Sequence, residues 1–590
     1  MSWTDKSGAN AVISTGQLSD AEQKVFDFFT RHLGSSWEIY AHPFLNGLSP
    51  DLVLLDPDVG IAAFDVEENP PDDSFGRKID RVRRYRDEII DLYCPRLQLR
   101  SGLAAVTCGL IFPNTETTKL MQKASKNGFV HPIYLPVSGK QQIENGEIMR
   151  VFPGAGRKGF AAMTDELASD LRNWLVEPDF QSIRREPLDL DRDQRRLITT
   201  RTETGYRRIK GPAGSGKSLV LAARAALLAS EGKSVLVITY NITLMNYLRG
   251  LAARWDTATP AINKGITWLN FHHWCKRVVE EGQSESEYNE IWRRHFDKDG
   301  DDASKNEILK RDVPALVAKI IDEDSAGYVK RYDAVIVDEG QDIQPLWWQT
   351  LRKVLIPGGE MLLAADMTQD IYDTGQQWTD QVMAGAGFRA PWVRLPYSYR
   401  LPPNLVLQAG QFARRRLKRG NVDYPVSDQQ EFNLYPCKMR WVQTSREKLA
   451  DSCTAEILKM PIHADPDILA IPDVVCICDL KSTGRQVARR IGSMNIRVAH
   501  TFGDNERRSK MSFMMDKAPV KITTLHSFKG WETRALVLCV EGVRGYKSLA
   551  QIYAGMTRIK RHENGSYLTV VCSDSQLRAD GQGWPEYEEC

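Results

Sequence analysis

The chain has 590 residues, of which 42% are hydrophobic and 26% charged, and its formal net charge is +2. That length exceeds what one hydrophobic core supports, so several domains are expected, and the balance is that of a folded globular protein. Near-neutral charge neither demands nor excludes a nucleic-acid partner, because a translocating enzyme can keep its basic residues in a channel. Ten cysteines are few for this length. The close pair Cys476 and Cys478 alternates within an apolar run, a spacing for packing rather than metal ligation, and a reducing compartment is predicted. The first residues lack the apolar core of a signal peptide, and no run is long enough to span a bilayer. A cytoplasmic protein with no membrane partner is expected.

In chain order, Ser19 opens a helix with early acids and apolar residues at helical spacing. Strand-like runs follow at 37–40, 51–55 and 61–66, the last two joined by a turn at 56–60, which reads as a helix followed by a meander. Alternation puts Asp65 and Glu67 on one face, and Asp51 on the paired strand is expected to converge with them on a divalent metal, an arrangement that cleaves phosphodiesters. These residues resemble the nuclease-related (NERD) group of the PD-(D/E)xK superfamily. The resemblance implies an α/β restriction-endonuclease-like fold and adds Glu22, on the first helix, as a fourth member of the site. A helix near 81–90 and a strand near 104–113 resemble that domain's next elements. The superfamily pattern wants a lysine where Glu67 stands, which makes Lys78 on the following helix its candidate replacement. The domain, residues 1–160, then either cuts DNA or is a degenerate nuclease fold that docks DNA or a partner protein. Residues 161–189, helical near 164–175 and punctuated by proline afterwards, are expected to be a linker.

Residues Gly211, Pro212, Ala213, Gly214, Ser215, Gly216, Lys217 and Ser218 fit G-x-x-x-x-G-K-[ST] without a mismatch. Glycines let backbone N–H groups turn inward around a polyphosphate, Lys217 reaches its β- and γ-phosphates, and Ser218 joins the shell of Mg²⁺. The Ala- and Leu-rich helix that follows adds its positive end. Upstream, the Gln194 amide can read an adenine edge, having both a donor and an acceptor. Runs at 235–239 and 266–270 read as parallel strands whose ends carry Asn241, Phe271 and His272. The apolar run 334–337 delivers Asp338, placed to hold Mg²⁺ through water, and Glu339, placed to polarise the water that attacks the γ-phosphate. ATP and Mg²⁺ are the expected ligands.

Together with D-E-x-Q-D at 338–342 and Q-x-x-Y at 369–372, the stretch 190–575 resembles superfamily-one helicases of the UvrD/Rep type. The resemblance implies two RecA-like P-loop lobes, and it assigns Gln369 to sensing the γ-phosphate and Tyr372 to stacking on a base. By the same resemblance Tyr399 stacks on adenine, Arg400 and Arg558 act as arginine fingers, and Glu532, beside Gly530, binds ribose. Thr524 and His526 would face the strand, with Asn241, Phe271 and His272 as further DNA contacts. The expected lobes are 190–387, with a helical insertion at about 276–330, and 388–575, with a small insertion at about 405–465, followed by a solvated tail at 576–590. The expected activity is DNA-stimulated ATP hydrolysis coupled to 3′–5′ movement on single-stranded DNA or a duplex with a single-stranded tail. The alternative is an ATP-gated nuclease, for repair or phage defence, whose motor acts as a switch with little unwinding.

Overall fold

The computed structural model describes residues 10–13, 18–70, 75–93, 105–126, 131–159, 163–175, 190–240, 244–255, 265–296, 302–366, 385–417, 435–464, 469–502 and 520–590. The chain is α/β and divides into two compact units, residues 1–185 with 263–265, and residues 186–262 with 266–590. Among the described residues no helix is long and apolar enough to cross a membrane.

The first unit holds a mixed six-stranded sheet. Its order is β1 (Asn10–Ile13), β2 (Glu38–Ala41), β3 (Leu52–Asp56), β4 (Gly60–Val66), β5 (Val106–Phe112) and β6 (Val137–Gly139). Strands β2 to β4 pair antiparallel, the meander expected from the turn residues, and β4 to β6 run parallel. The helix Asp20–His32 starts at a capping box formed by Ser19 and Glu22. It buries Val25, Phe28 and Phe29 against Ile39, Leu52 and Phe64 of the sheet. The helix Asp165–Leu175 was expected in a linker but belongs to this unit. Arg172 ties it to β2 through Glu38 at 2.7 Å. The proline-punctuated residues 176–189 lie outside those described.

The second unit contains two all-parallel sheets. One has the order β12 (Val393–Arg394), β7 (Tyr206–Lys210), β11 (Leu355–Ala365), β10 (Tyr332–Val337), β8 (Val235–Thr239) and β9 (Ile266–Asn270). The other runs β15 (Val498–His500), β16 (Val520–Thr524), β14 (Val474–Cys478), β17 (Ala535–Val540), β18 (Ser566–Cys572), β13 (Cys437–Gln443) and β19 (Glu586–Glu589). Alternation along its central strands feeds two cores: Val475, Ile477, Leu536 and Leu538 face one, while Cys476, Cys478, Val537 and Cys539 face the other. The Cys476 and Cys478 thiols therefore pack against the helix Leu449–Ala464, which contributes Cys453 and Ile457 to that core.

Three boundaries differ from those expected. Residues 393–394 pair with Ile209 and Lys210 of β7, so the first of these sheets extends past 387. Much of the region expected as an insertion at 405–465 is sheet and covering helix instead. Strand β13 pairs with β18 over seven residues and buries Trp441 completely. The tail is not a solvated end: Trp584 packs edge-on against Trp441, and β19 pairs in parallel with β13. Arg440 on β13 binds Glu456, Glu586 and Glu588, which fastens this acidic edge strand. Among the described residues the region at 276–330 is largely helical as expected, with helices Glu285–Phe296 and Val313–Glu323 among its elements.

Candidate functional site

In the second unit, the carboxyl ends of the parallel strands β7, β10 and β11 open on a cavity of about 490 Å³, the edge where ligands of such sheets sit. Strand β7 leads into the loop 211–216, and the helix Lys217–Ser230 follows it. Gly214 and Gly216 adopt left-handed backbone with φ of 78° and 83°, which only glycine takes without strain. A Cβ at Gly216 would run into the Gln194 amide, and one at Gly214 would sit 2.6 Å from the Ser398 hydroxyl and the Arg400 Cβ. The loop is thus packed tightly by both neighbours. Lys217 Nζ donates to the carbonyls of Gly211 and Pro212 at 2.7 and 2.9 Å and lies 3.6 Å from Asp366. The Ser215 hydroxyl is buried without a hydrogen-bond partner.

Asp338 and Glu339 line the same cavity. Burial, together with the neighbouring Glu339 charge, raises the Asp338 carboxyl against the lowering effect of Ser218 and Lys217. Its Oδ1 accepts the Glu339 N–H at 2.9 Å, while its Oδ2 is buried with no partner in the protein. That orphaned oxygen beside Ser218 fits a divalent cation. Burial also pushes the Glu339 carboxyl up, but Lys529, Arg558, Lys217 and the Gln341 amide outweigh it and keep it below its usual range. Glu339 itself sits at φ 53°, an unusual conformation for a non-glycine residue and one that collects at functional sites. Gln341 donates to Glu339 and accepts the Asp366 N–H at 2.8 Å, linking the ends of β10 and β11.

The facing sheet supplies the opposite wall. Arg558 is fully buried and anchored by its Nε to the Ala554 carbonyl at 3.0 Å. Burial, with Arg400 close by, lowers its guanidinium to about 10. Arg400 has a buried, unpartnered Nε and lies 3.6 Å from Glu532. Two guanidinium groups and Lys217 on one buried cavity form a cation cluster that a bound polyanion would neutralise. Lys529 crosses the cleft and donates to both oxygens of Asp342 at 2.9 and 2.7 Å, with Glu339 at 3.9 Å. Both partners are buried, the geometry in which removal of one partner costs about 3–5 kcal/mol. Gly530, at φ 88°, packs on Leu244.

At the other end of the cavity, Gln194 accepts the Asp191 N–H and donates to the Ser215 carbonyl at 3.3 Å, so its amide braces the loop. Tyr399 lines the cavity half-exposed, and its N–H donates to the Gly214 carbonyl at 3.1 Å. The loop lines the cavity from Ala213 to Ser218, whereas Gly211 and Pro212, also expected there, do not; Leu219, Tyr247, Leu251, Gly530 and Glu532 are among its other walls.

The residues expected to touch DNA are placed less uniformly. Asn241, Gln369 and Tyr372 lie outside the described residues. Phe271 is 1% exposed and stacks on Trp347 with centroids 4.3 Å apart, so its ring serves packing rather than a free face. His272 packs edge-on against the same Trp347, and burial pushes its imidazole down to about 4. Thr524 is buried and caps the short helix Leu525–Phe528 by accepting the Ser527 N–H. His526 is half-exposed, with Gln551 2.9 Å from its Nε2.

In the first unit, the expected convergence of Asp51, Asp65 and Glu67 is replaced by a different group. Ligand atoms of Glu22, His42 and Asp51 lie within 4.8 Å of one another. The His42 N–H donates to the Asp51 carbonyl, and Val66 N–H donates to Asp51 Oδ2 at 2.7 Å, which draws the ends of β2, β3 and β4 together. His42 Nε2 meets Glu22 Oε1 at 2.8 Å. Asp65 stands opposite Asp51, one step beyond the Leu52–Phe64 pair, but Arg81 holds it at 3.2 Å. Burial, partly offset by Arg81, pushes its carboxyl up to about 7, and its Oδ1 is buried without a partner. Glu67 stands beyond the end of β4 and pairs with Lys78, so the lysine of the following helix makes its ion pair with Glu67 while its charge still acts on Asp65.

Sequence reasoning missed His42 and Lys529. Nothing in the sequence marks His42, whose left-handed backbone (φ 47°) turns it at the end of β2. Lys529 stood in plain view between His526 and Gly530, and its role is visible only once Asp342 lies beside it. A scan against protein-family models gives no match, and a search of curated proteins gives none.

Proposed function

We propose that the chain is an ATP-driven motor on single-stranded DNA, of the kind represented by UvrD/Rep-type superfamily-one helicases, with the two parallel sheets as RecA-like lobes. One observation carries this reading: Lys217 and Ser218, the acid pair Asp338 and Glu339, and Arg400 with the buried Arg558 converge on one cavity between two sheets. Lys217 and the loop N–H groups would grip the ATP phosphates, and Ser218 with Asp338 would hold Mg²⁺. Bound there, Mg²⁺ supplies Lewis-acid stabilisation of phosphate charge. Glu339, kept ionised by Lys529 and Arg558, accepts the proton of the attacking water. Arg400 and Arg558 stabilise charge on the transferred phosphoryl group, and they do so best when the lobes close, which couples hydrolysis to movement. The direction is 3′ to 5′, as in the family, and the setting is the cytoplasm. The test is displacement of streptavidin from biotinylated oligonucleotides: release from the 5′ end, dependent on ATP, is expected, and release from neither end contradicts a motor.

The second reading, an ATP-gated nuclease, is favoured by the cluster in the first unit. Three potential ligands already lie together, and the orphaned Asp65 Oδ1 faces burial without a donor, which fits a cation there. Glu22, His42 and Asp51, with Asp65 nearby, would hold a divalent ion able to generate hydroxide for phosphodiester cleavage. In the full-length protein, calorimetry is expected to show one Mn²⁺ site outside the nucleotide cleft. Asp51→Ala should abolish it, and His42→Ala should weaken it by about tenfold or more. Cleavage of linear DNA that needs Mn²⁺ and Asp51 would make the unit a nuclease. Metal binding in neither variant nor wild type would leave a docking module for DNA or a protein partner.

A further inference from the structure

The second unit has another cavity, of about 310 Å³, at the carboxyl ends of β14 and β17, where an open parallel sheet offers its loops to ligands. Ile477, Leu538 and Ile552 make part of its lining apolar. Its polar lining comes from Asp479, His526, Ser548 and Gln551, together with the exposed Arg544 and Lys547. Asp479 is a fixed acceptor: Oδ2 takes the N–H groups of Glu541 and Gly542 at 2.8 and 3.4 Å. Its Oδ1 is buried and accepts no hydrogen bond from the protein, an arrangement that native structures rarely leave unanswered.

Given the reading that the chain binds single-stranded DNA, we propose that this cavity takes one base of the bound strand. The exocyclic amino group of that base donates to Asp479, and the adjoining phosphate lies toward Arg544 and Lys547. A carboxylate excludes phosphate from its own end of the cavity and selects N–H donors. Cytosine, adenine and guanine carry an exocyclic amino group at the base edge, whereas the one N–H donor on the thymine ring edge, N3–H, lies between two carbonyl oxygens that a carboxylate repels. The sequence-tolerant grip expected of backbone contacts and stacking would therefore carry, at this one position, discrimination against thymine.

The test uses the full chain without ATP and measures fluorescence anisotropy with oligo(dC) and oligo(dT) of equal length. Wild type is expected to bind oligo(dC) about tenfold more tightly. Asp479→Asn should erase the difference. Because Asp479 also holds the 541–542 loop, Gly542→Met provides an independent variant. Gly542 lines the cavity, and a Cβ there meets only Asp574 Oδ2, at 3.6 Å, so a longer side chain is accommodated at the cavity's edge with the backbone bonds kept. It too should erase the preference, and both variants should keep wild-type ATP hydrolysis in the absence of DNA. Equal binding of the two oligonucleotides by wild type, or a preference that survives both variants, overturns the proposal. Free dCMP binding as tightly as oligo(dC) would overturn the strand assignment. Failure to bind either oligonucleotide would overturn the single-strand reading itself.

Discussion

Arg558→Ala is expected to lower the maximal rate of DNA-stimulated ATP hydrolysis by about a thousandfold or more, with KM for ATP changed only a few-fold. The guanidinium stands fully buried just beyond the helix Tyr546–Met556, its Nε fixed by the Ala554 carbonyl. Its conformational freedom is already spent, so its contribution appears mainly where phosphoryl charge builds up in the transition state. Burial and the nearby Arg400 lower it to about 10, which still leaves it charged at neutral pH. Arg558→Lys keeps a charge but loses the planar fork, and should recover little of the rate. Steady-state kinetics at saturating single-stranded DNA, paired with the affinity for a non-hydrolysable ATP analogue, check this. A variant with near-normal turnover would remove Arg558 from the site.

Glu339→Gln is expected to lower turnover by about 10²- to 10⁴-fold while nucleotide binding survives, because the amide cannot take the proton of the attacking water. The residue is already committed to that position by its left-handed backbone and by Gln341, and the substitution preserves its shape. Lys529 would keep its closer bonds to Asp342, so the fold should be retained. Single-turnover hydrolysis separates the chemical step from binding and product release. Equal single-turnover rates in wild type and variant would assign the proton to another acceptor.

How much of this was legible in the sequence depends on how local each feature is. The phosphate loop is contiguous: the strand Tyr206–Lys210, the glycines and the helix Lys217–Ser230 appear in order within one short stretch. The same holds for the strand that ends at Asp338. Strand β13 was not legible, since its partner β18 lies far along the chain and the residues beside it look like a charged insertion. Strand β19 was hidden by its own acidity. Glu586 and Glu588 read as a solvated end until Arg440 of β13 is found beside them. In the first unit the expected alternation of Asp65 and Glu67 on one strand face stops short of Glu67. β4 ends at Val66, which leaves Glu67 to Lys78, while a histidine turned by a left-handed residue takes its place near Asp51. Such placements come from tertiary packing, to which periodicity is blind.

The measurement that bears most directly on the central claim is ATP hydrolysis by the full chain with Mg²⁺, with and without single-stranded DNA, beside a Lys217→Ala variant. Stimulation by DNA of about tenfold or more, the size of a coupling between two sites, is expected, with loss of activity in the variant. Hydrolysis that is indifferent to DNA, or that persists without Lys217, would contradict that claim.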